Sequence, residues 1–171
     1  INHRDYYTLN GQPLGERNPK WLQDDYVKFI RYGQHRIEQT GAGILAFITP
    51  HGYLDNPTFR GMRESLRQTF DAIYVLDLHG NANKKETAPD GGKDENVFDI
   101  RQGVAIGVFV KYPAERASEM AAVFQHDLYG LREAKYAALR DSQLSLPQYA
   151  SLTPRYPFQL FIPQNVAVRE E

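Results

Sequence analysis

Apolar residues in the first part of the chain return every three or four positions, which is the spacing of one face of a helix. This spacing holds from Leu22 to Ile37, with charged residues on the other faces, and predicts an amphipathic helix. Asn18-Pro19 predicts its start, because asparagine caps helices well and proline suits the first helical position. Gly41 and Gly43 predict its end.

Two short apolar runs, Ile44–Thr49 and Ala72–Leu78, predict buried strands, and we expect the first to be buried on both faces. Between them, Asn56-Pro57 repeats the signal for a helix start, and apolar residues mark one helical face to about residue 70. Strand, helix and strand within about 35 residues predict a βαβ unit with a right-handed crossover.

Polar stretches surround these elements. Residues 1–17 and 79–95 are rich in turn formers and predict surface loops. Val97–Ile100 and Val104–Val110 then flank Gln102-Gly103, which predicts a bent strand or a hairpin.

Beyond residue 113 the pattern predicts a mixed segment. Ala122–Leu128 predicts a strand, Gly130 starts a helix, and Phe158–Ile162 predicts a short strand in a proline-rich tail. The chain is therefore predicted to be α/β, with a βαβ unit and a hairpin followed by a mixed α/β connector.

Composition and charge exclude several classes of protein. The chain has 171 residues, of which 42% are hydrophobic, so it can bury a core and is unlike a disordered segment. A formal net charge of -1 excludes a polybasic protein, and the absence of cysteine excludes disulfides and thiolate catalysis. No apolar run approaches the length of a membrane span, so we expect no membrane partner. The chain starts at Ile1 rather than at Met, and we expect a piece of a longer polypeptide.

Local motifs offer little chemistry by themselves. The glycine loops G-x-G-x-x-G and G-x-x-x-x-G-K-[ST] do not occur, and no two histidines have the spacing of metal ligands, so we predict no metal site. His51 and His79 follow the two predicted strands, at the edge where α/β sheets bind ligands, but we favour the simpler role of capping the strand ends. Asp77, near the end of a buried strand, either orients a ligand or accepts hydrogen bonds from loop amides.

The polar loop at residues 79–95 offers positive charge to a partner. It carries three lysines that can contact DNA phosphates from an exposed position, namely Lys84, Lys85 and Lys93. The alternative is that this charged loop is only solvated. We take the three lysines as candidate DNA contacts.

Four longer motifs in a fixed order carry a resemblance to a known family. They are Trp21–Arg31, Gly43–Arg63, Ile73–Asn81 and Asn96–Ile106. Together they resemble the adenine-specific DNA methyltransferase domains of large, single-chain restriction–modification enzymes, and the resemblance covers residues 1 to about 165. It implies part of a Rossmann-like sheet of seven strands, with an antiparallel strand near one edge.

The resemblance also implies which parts of the family's domain this chain contains. The family's glycine-rich loop for the methyl donor and its catalytic Asn-Pro-Pro-Tyr tetrapeptide do not occur here, and Asn18-Pro19-Lys20-Trp21 lacks the second proline. Residues 1–112 therefore resemble the C-terminal half of the catalytic domain, and residues 113–171 resemble the connector toward a target-recognition domain. We expect no catalytic residue in this chain, no methyl transfer by it alone, and weak binding of S-adenosylmethionine.

Two aromatic residues match functional positions of the family. Phe29 matches the position that packs near the adenine ring of S-adenosylmethionine, and a core position on the helix is its alternative. Phe98 matches the position whose ring stacks on a base flipped out of DNA, and a core position in the hairpin is its alternative.

The implied setting is the cytoplasm of a bacterium or an archaeon. The implied partners are duplex DNA, the N-terminal half of the domain and a target-recognition domain, and we also expect self-association of the chain. Two other functions remain open, namely a non-enzymatic DNA-binding or assembly module and a different nucleotide-binding α/β enzyme.

Overall fold

A five-stranded mixed sheet lies at the centre of the molecule. The computed structural model describes residues 4–114, 118–141 and 148–164. In chain order its elements are β1 (Thr8–Leu9), β2 (Gln12–Pro13), α1 (Asp25–Thr40), β3 (Gly43–Pro50), α2 (Arg60–Thr69), β4 (Ala72–His79), β5 (Val104–Lys111), β6 (Ala122–Asp127), α3 (Arg132–Asp141) and β7 (Ala150–Leu152).

The strand order of the sheet is β3-β5-β4-β6-β7. Strand β5 runs antiparallel to both β3 and β4, so β3 and β4 point the same way with β5 between them. Strand β6 runs parallel to β4 on its other side. The predicted α/β class is confirmed, and the mixed sheet is compatible with part of a Rossmann-like fold. The predicted boundary between residues 112 and 113 stays a prediction, although β6 and β7 complete the same sheet.

Helices cover the sheet unequally. On one face, α1 and α2 bury a large apolar cluster against the strands, which includes Ile30, Leu66, Val75 and Phe109. On the other face, Tyr136 and Leu139 of α3 pack against a smaller cluster that includes Leu76 and Leu78. The parallel direction of β3, β4 and β6 places their carboxyl ends at one edge of the sheet, which is where the polar residues gather.

The two predicted helix starts have different outcomes. The Asn56 side chain accepts a hydrogen bond from the Thr58 amide at 2.9 Å, and Pro57 opens a 3-10 turn that leads into α2, so this start is confirmed. The start at Asn18-Pro19 is wrong, because a separate 3-10 turn follows Pro19 and α1 begins only at Asp25. The predicted end is confirmed, since Gly41 caps α1 with φ +79°.

The prediction that the first strand is buried on both faces is wrong. Along β3 the side chains alternate, with Ile44 69% and Ile48 39% exposed while Thr49 is buried. The reason is position: β3 is an outer strand of the sheet in the described ranges, and α3 packs against β4 on that face, two strands away. The exposed residues form a single apolar strip at the edge of the sheet.

Two predicted strands are also wrong, and in the second the backbone groups bond to partners outside any strand ladder. Residues 97–100 form bends rather than one arm of a hairpin. Residues 158–162 form irregular structure and bends after a turn, in which the buried Arg63 side chain donates to the Phe158 carbonyl and the Phe161 amide donates to the Leu54 carbonyl. Strand β7 pairs with β6 instead.

Residues 1–17 are more ordered than a surface loop wherever the structure describes them. Strands β1 and β2 form a small antiparallel hairpin. Tyr6 is fully buried, and its hydroxyl donates to Gln34 Oε1 on α1 at 2.7 Å. No helix in the described ranges has the length and the hydropathy of a transmembrane segment.

Candidate functional site

Four titratable side chains meet at the carboxyl edge of the sheet. His51 directly follows β3, Asp77 and His79 lie at the end of β4, and Asp127 ends β6. All but Asp127 are buried. The sequence placed His51 and His79 at this edge, and the structure brings both against Asp77.

The neighbours of His51 fix the tautomer of its ring. Its Nδ1 lies 3.0 Å from Asp77 Oδ1, and its Nε2 lies 2.9 Å from the Asn81 side-chain nitrogen. Asn81 Oδ1 accepts the amides of Asn83 and Lys84, so the NH2 group of Asn81 must face His51. His51 Nε2 is therefore the acceptor, and Nδ1 carries the proton and donates to Asp77.

His79 sits between two carboxylates. Its Nδ1 lies 2.8 Å from Glu86 Oε1 and its Nε2 lies 2.7 Å from Asp127 Oδ1, so both nitrogens donate and the ring is positively charged. Burial opposes this charge, but the bonds to Asp127 and Glu86 and the charge of Asp77 outweigh it and raise the pKa of His79. The ring also stacks on Tyr129, with 3.8 Å between the centroids.

The same cluster contains a set of atoms that could hold a metal ion. Ligand atoms of His51, Asp77 and His79 lie within 4.8 Å of one another, and imidazole with carboxylate is a donor set that suits zinc. However, each of these nitrogens already has a hydrogen-bond partner in the network. Hydrogen bonds thus satisfy these ring nitrogens without a metal ion. The prediction that the chain has no metal site stays a prediction. Sequence spacing did not reveal this cluster, because it joins the end of β4 to the turn that follows β3.

A cavity of about 500 Å³ opens beside His51. The His51 amide donates to the Gly103 carbonyl at 2.9 Å, and a Cβ on Gly103 would lie 2.4 Å from the His51 ring, so only glycine fits there. Polar amides and aromatic rings line the space, among them Asn81, Asn83, Gln102, Trp21 and Tyr26. Such a lining suits a flat, hydrogen-bonding ligand such as a nucleobase.

Phe98 lies on a closed loop whose last residue, Gln102, lines this cavity. Asn96 closes the loop: its Oδ1 accepts the Phe98 amide at 2.9 Å, and its Nδ2 donates to the carbonyls of Gly80 and Gln102. The Phe98 side chain is 44% exposed, so it is not the core residue of a hairpin. Its base-stacking role stays a prediction, and the exposed ring leaves that role open.

Phe29 is also exposed. It projects from α1 with 61% of its surface accessible, and its ring meets Phe47 of β3 edge-on at 6.3 Å between centroids. The alternative of a core aromatic is therefore wrong. Contact with S-adenosylmethionine stays a prediction.

The three candidate lysines have different surroundings. Lys84 lines the cavity and pairs with Asp55 at 3.1 Å, and Lys93 pairs with Glu95 at 2.6 Å. Lys85 lies in a tight turn with φ +52°. Two of the three charges are thus balanced by carboxylates of the chain, and their contact with DNA stays a prediction.

Comparisons with known proteins give structural neighbours. No protein-family model and no curated protein matches the chain. A cryo-EM structure of a DrdV–DNA complex matches with a TM-score of 0.69 and 27% identity, over 83% of this chain and 14% of that one. A nuclease-deletion mutant of the Type ISP restriction–modification enzyme LlaGI, in complex with a DNA substrate mimic, matches with a TM-score of 0.66 and 27% identity, over 80% of this chain and 13% of that one.

A third match supports the fold alone. It is the ATP-dependent Type ISP restriction–modification enzyme LlaBIII bound to DNA, with a TM-score of 0.74 and 22% identity over 94% of this chain and 12% of that one. This chain is similar to a segment of restriction–modification enzymes. It spans only 12% to 14% of the length of these three neighbours.

Proposed function

We propose that the chain is the C-terminal half of the catalytic domain of an adenine-N6 DNA methyltransferase that uses S-adenosylmethionine, within a larger restriction–modification enzyme. The observation that carries the proposal is the exposed Phe98 ring on a closed loop that reaches the cavity at the carboxyl edge of the sheet through Gln102. Two neighbours at 27% identity, which were both solved with DNA or a DNA mimic, support the DNA partner.

In this proposal the chain receives a flipped adenine. An enzyme that modifies a base inside a duplex must extrude it, and the unstacking costs a few kcal/mol. The Phe98 ring offers a new stacking surface, which contributes about 1–3 kcal/mol per base. Gln102 lines the cavity, and its side-chain amide can pair with the edge of adenine, because an amide both donates and accepts.

S-Adenosylmethionine would supply the electrophilic methyl group. The exposed Phe29 ring at the edge of β3 fits one wall of a site for its adenine ring. The sequence lacks the glycine-rich loop and the Asn-Pro-Pro-Tyr tetrapeptide, so the remaining walls and the group that holds N6 would come from other parts of the enzyme. The residues of this chain bind and orient the base.

The direct test is methyl transfer by a longer polypeptide that contains this chain together with the N-terminal half of the catalytic domain. The enzyme is incubated with duplex DNA and labelled S-adenosylmethionine, and the digested nucleosides are identified by mass spectrometry. We expect N6-methyladenine, and we expect it to decrease in the Phe98→Ala variant. Methylation of cytosine, or no methylation by an enzyme that binds the cofactor, would contradict the proposal.

A non-enzymatic DNA-binding module is the second candidate, because the two neighbours at 27% identity were solved with DNA or a DNA mimic. The net charge of -1 gives little attraction to phosphates, which dominate DNA affinity. A gel-shift titration of the 171-residue chain with duplex DNA separates the two candidates. Tight binding by the chain alone would favour the binding module.

A further inference from the structure

The loop that carries Phe98 is attached to α3 by a buried ion pair. Lys135 of α3 and Asp94 pair at 2.7 Å, and both side chains are completely buried. The Lys135 ammonium also donates to the carbonyls of Leu78 and Glu95, at 2.7 Å each. The three donors of the ammonium are thus all used, and the start of the loop is held between β4 and α3.

Arg132, at the first position of α3, holds the next part of the loop. Its Nε donates to the Asn96 carbonyl at 2.7 Å, its Nη2 donates to the Phe98 carbonyl at 3.0 Å, and its Nη1 pairs with Asp99 at 2.7 Å. A planar guanidinium with its donors in a fixed fork can bind three such groups together, which a lysine cannot. Arg132 therefore holds the backbone on both sides of the Phe98 amide, and the Tyr136 hydroxyl of α3 donates to the Val97 carbonyl between these two contacts.

We infer that Arg132 is a positioning residue that aims the Phe98 ring at the extruded base. The inference rests on the proposed function, since it gives the Phe98 ring its purpose. Arg132 lies outside the catalytic half that the resemblance implies, because α3 belongs to residues 113–171, which resemble the connector. The connector would then support the base-binding loop, and a movement of α3 would change where the Phe98 ring points.

The structural part of the inference is tested on the 171-residue chain by hydrogen exchange. Arg132→Gln removes the fork, and the loss of two charge-assisted hydrogen bonds should speed exchange of the amides at residues 96–102 by about tenfold or more. Exchange in β4 and β5 should not change. The matched control is Asp99→Asn, which removes only the ion pair to a side chain that is 93% exposed and should leave exchange nearly unchanged. Unchanged exchange in Arg132→Gln would overturn the inference.

The functional part is tested in the longer enzyme. With 2-aminopurine at the target adenine, the wild-type protein should hold the base against Phe98 and quench its fluorescence. Arg132→Gln should increase the 2-aminopurine fluorescence and lower kcat by about 5- to 100-fold. The KM for S-adenosylmethionine should stay unchanged. Faster loop exchange with unchanged kcat and fluorescence would overturn the inference while the proposed function stands. A wild-type enzyme that does not methylate adenine would overturn both.

Discussion

His79 Nε2 lies 2.7 Å from Asp127 Oδ1, and this pair joins the ends of two parallel strands. The other ring nitrogen of His79 contacts Glu86, which lies in the polar loop after β4. One charged imidazole therefore holds β4, β6 and the beginning of the long loop together at the carboxyl edge of the sheet.

This network predicts that the stability of the chain depends on pH. The pKa of His79 is raised, so its contribution is complete below its ordinary value of 6.5 and is lost as the pH rises through the folded value. Burial raises the pKa of Asp127, but the bond and the charge of His79 and the bond from Gln125 outweigh burial and lower it. Its contribution is present above the ordinary value of 3.8 and is lost as the pH falls through the folded value.

We therefore expect the network to stabilise the chain most between about pH 4 and pH 6.5. Urea denaturation at a series of pH values would measure this for the wild type and for Asp127→Asn. The difference in the free energy of unfolding between the two proteins should shrink above pH 6.5. A difference that is constant from pH 5 to pH 9 would show that His79 is not charged in the folded chain.

Gly80 fixes the loop that begins after β4. It has φ +75°, and a Cβ there would lie 2.4 Å from the Asn96 Cα, whereas Gly91 has φ +83° with nothing near its Cβ. Gly91→Ala thus tests the backbone strain alone and should cost about 1 kcal/mol of stability. Gly80→Ala adds a clash with backbone and should cost more than about 3 kcal/mol by urea denaturation. Equal costs would mean that the approach of Asn96 to Gly80 is not tight.

The sequence predicted elements where local signals and long-range packing agree. Asn56-Pro57 is a true helix start because its cap hydrogen bond forms, while the similar Asn18-Pro19 lacks that bond. Phe158–Ile162 has the composition of a strand, but a buried arginine 95 residues away takes the Phe158 carbonyl.

In the candidate site, too, local sequence signals do not report contacts between distant elements. The position of His51 and His79 after strands indicates the correct edge of the sheet, although the sequence favours a capping role for both. Glu86, Asp127 and Arg132 were missed, because each reaches its partner from another element and no local pattern reports such a contact.

The apolar strip on β3 predicts self-association of the chain. Ile44 and Ile48 are exposed at an outer strand, and strand edges with apolar residues promote pairing with another chain. Light scattering should show dimers or larger species at high concentration. Ile44→Lys should shift them toward monomer, whereas Leu131→Lys, at an exposed apolar residue on another surface, should not. A wild-type chain that stays monomeric would count against a missing N-terminal half that covers this edge.

The chain alone should bind S-adenosylmethionine weakly. The glycine-rich loop of the family does not occur in it, and Phe29 would supply one wall of the site. Calorimetry should show no binding at micromolar cofactor, and the longer enzyme should bind it with an affinity that Phe29→Ala lowers. Micromolar affinity of the 171-residue chain would contradict this division of the site.

The central claim is that Phe98 stacks on an extruded adenine. Phe98→Ala in the longer enzyme should slow methylation by about 5- to 150-fold, which corresponds to about 1–3 kcal/mol of stacking. Thermal stability should stay close to that of the wild type, since the side chain is 44% exposed. Phe47→Ala is a useful comparison, because that ring packs against the core and its loss should lower stability.

The measurement that tests this claim most directly is the methylation rate of Phe98→Ala on a matched duplex and on a duplex whose target adenine is mismatched. Extrusion of a mismatched base costs less, so the mismatch should restore part of the lost rate. The account predicts this partial rescue together with an unchanged melting temperature. A melting temperature that falls steeply, with no preferential rescue by the mismatch, would show that Phe98 supports the fold rather than the base.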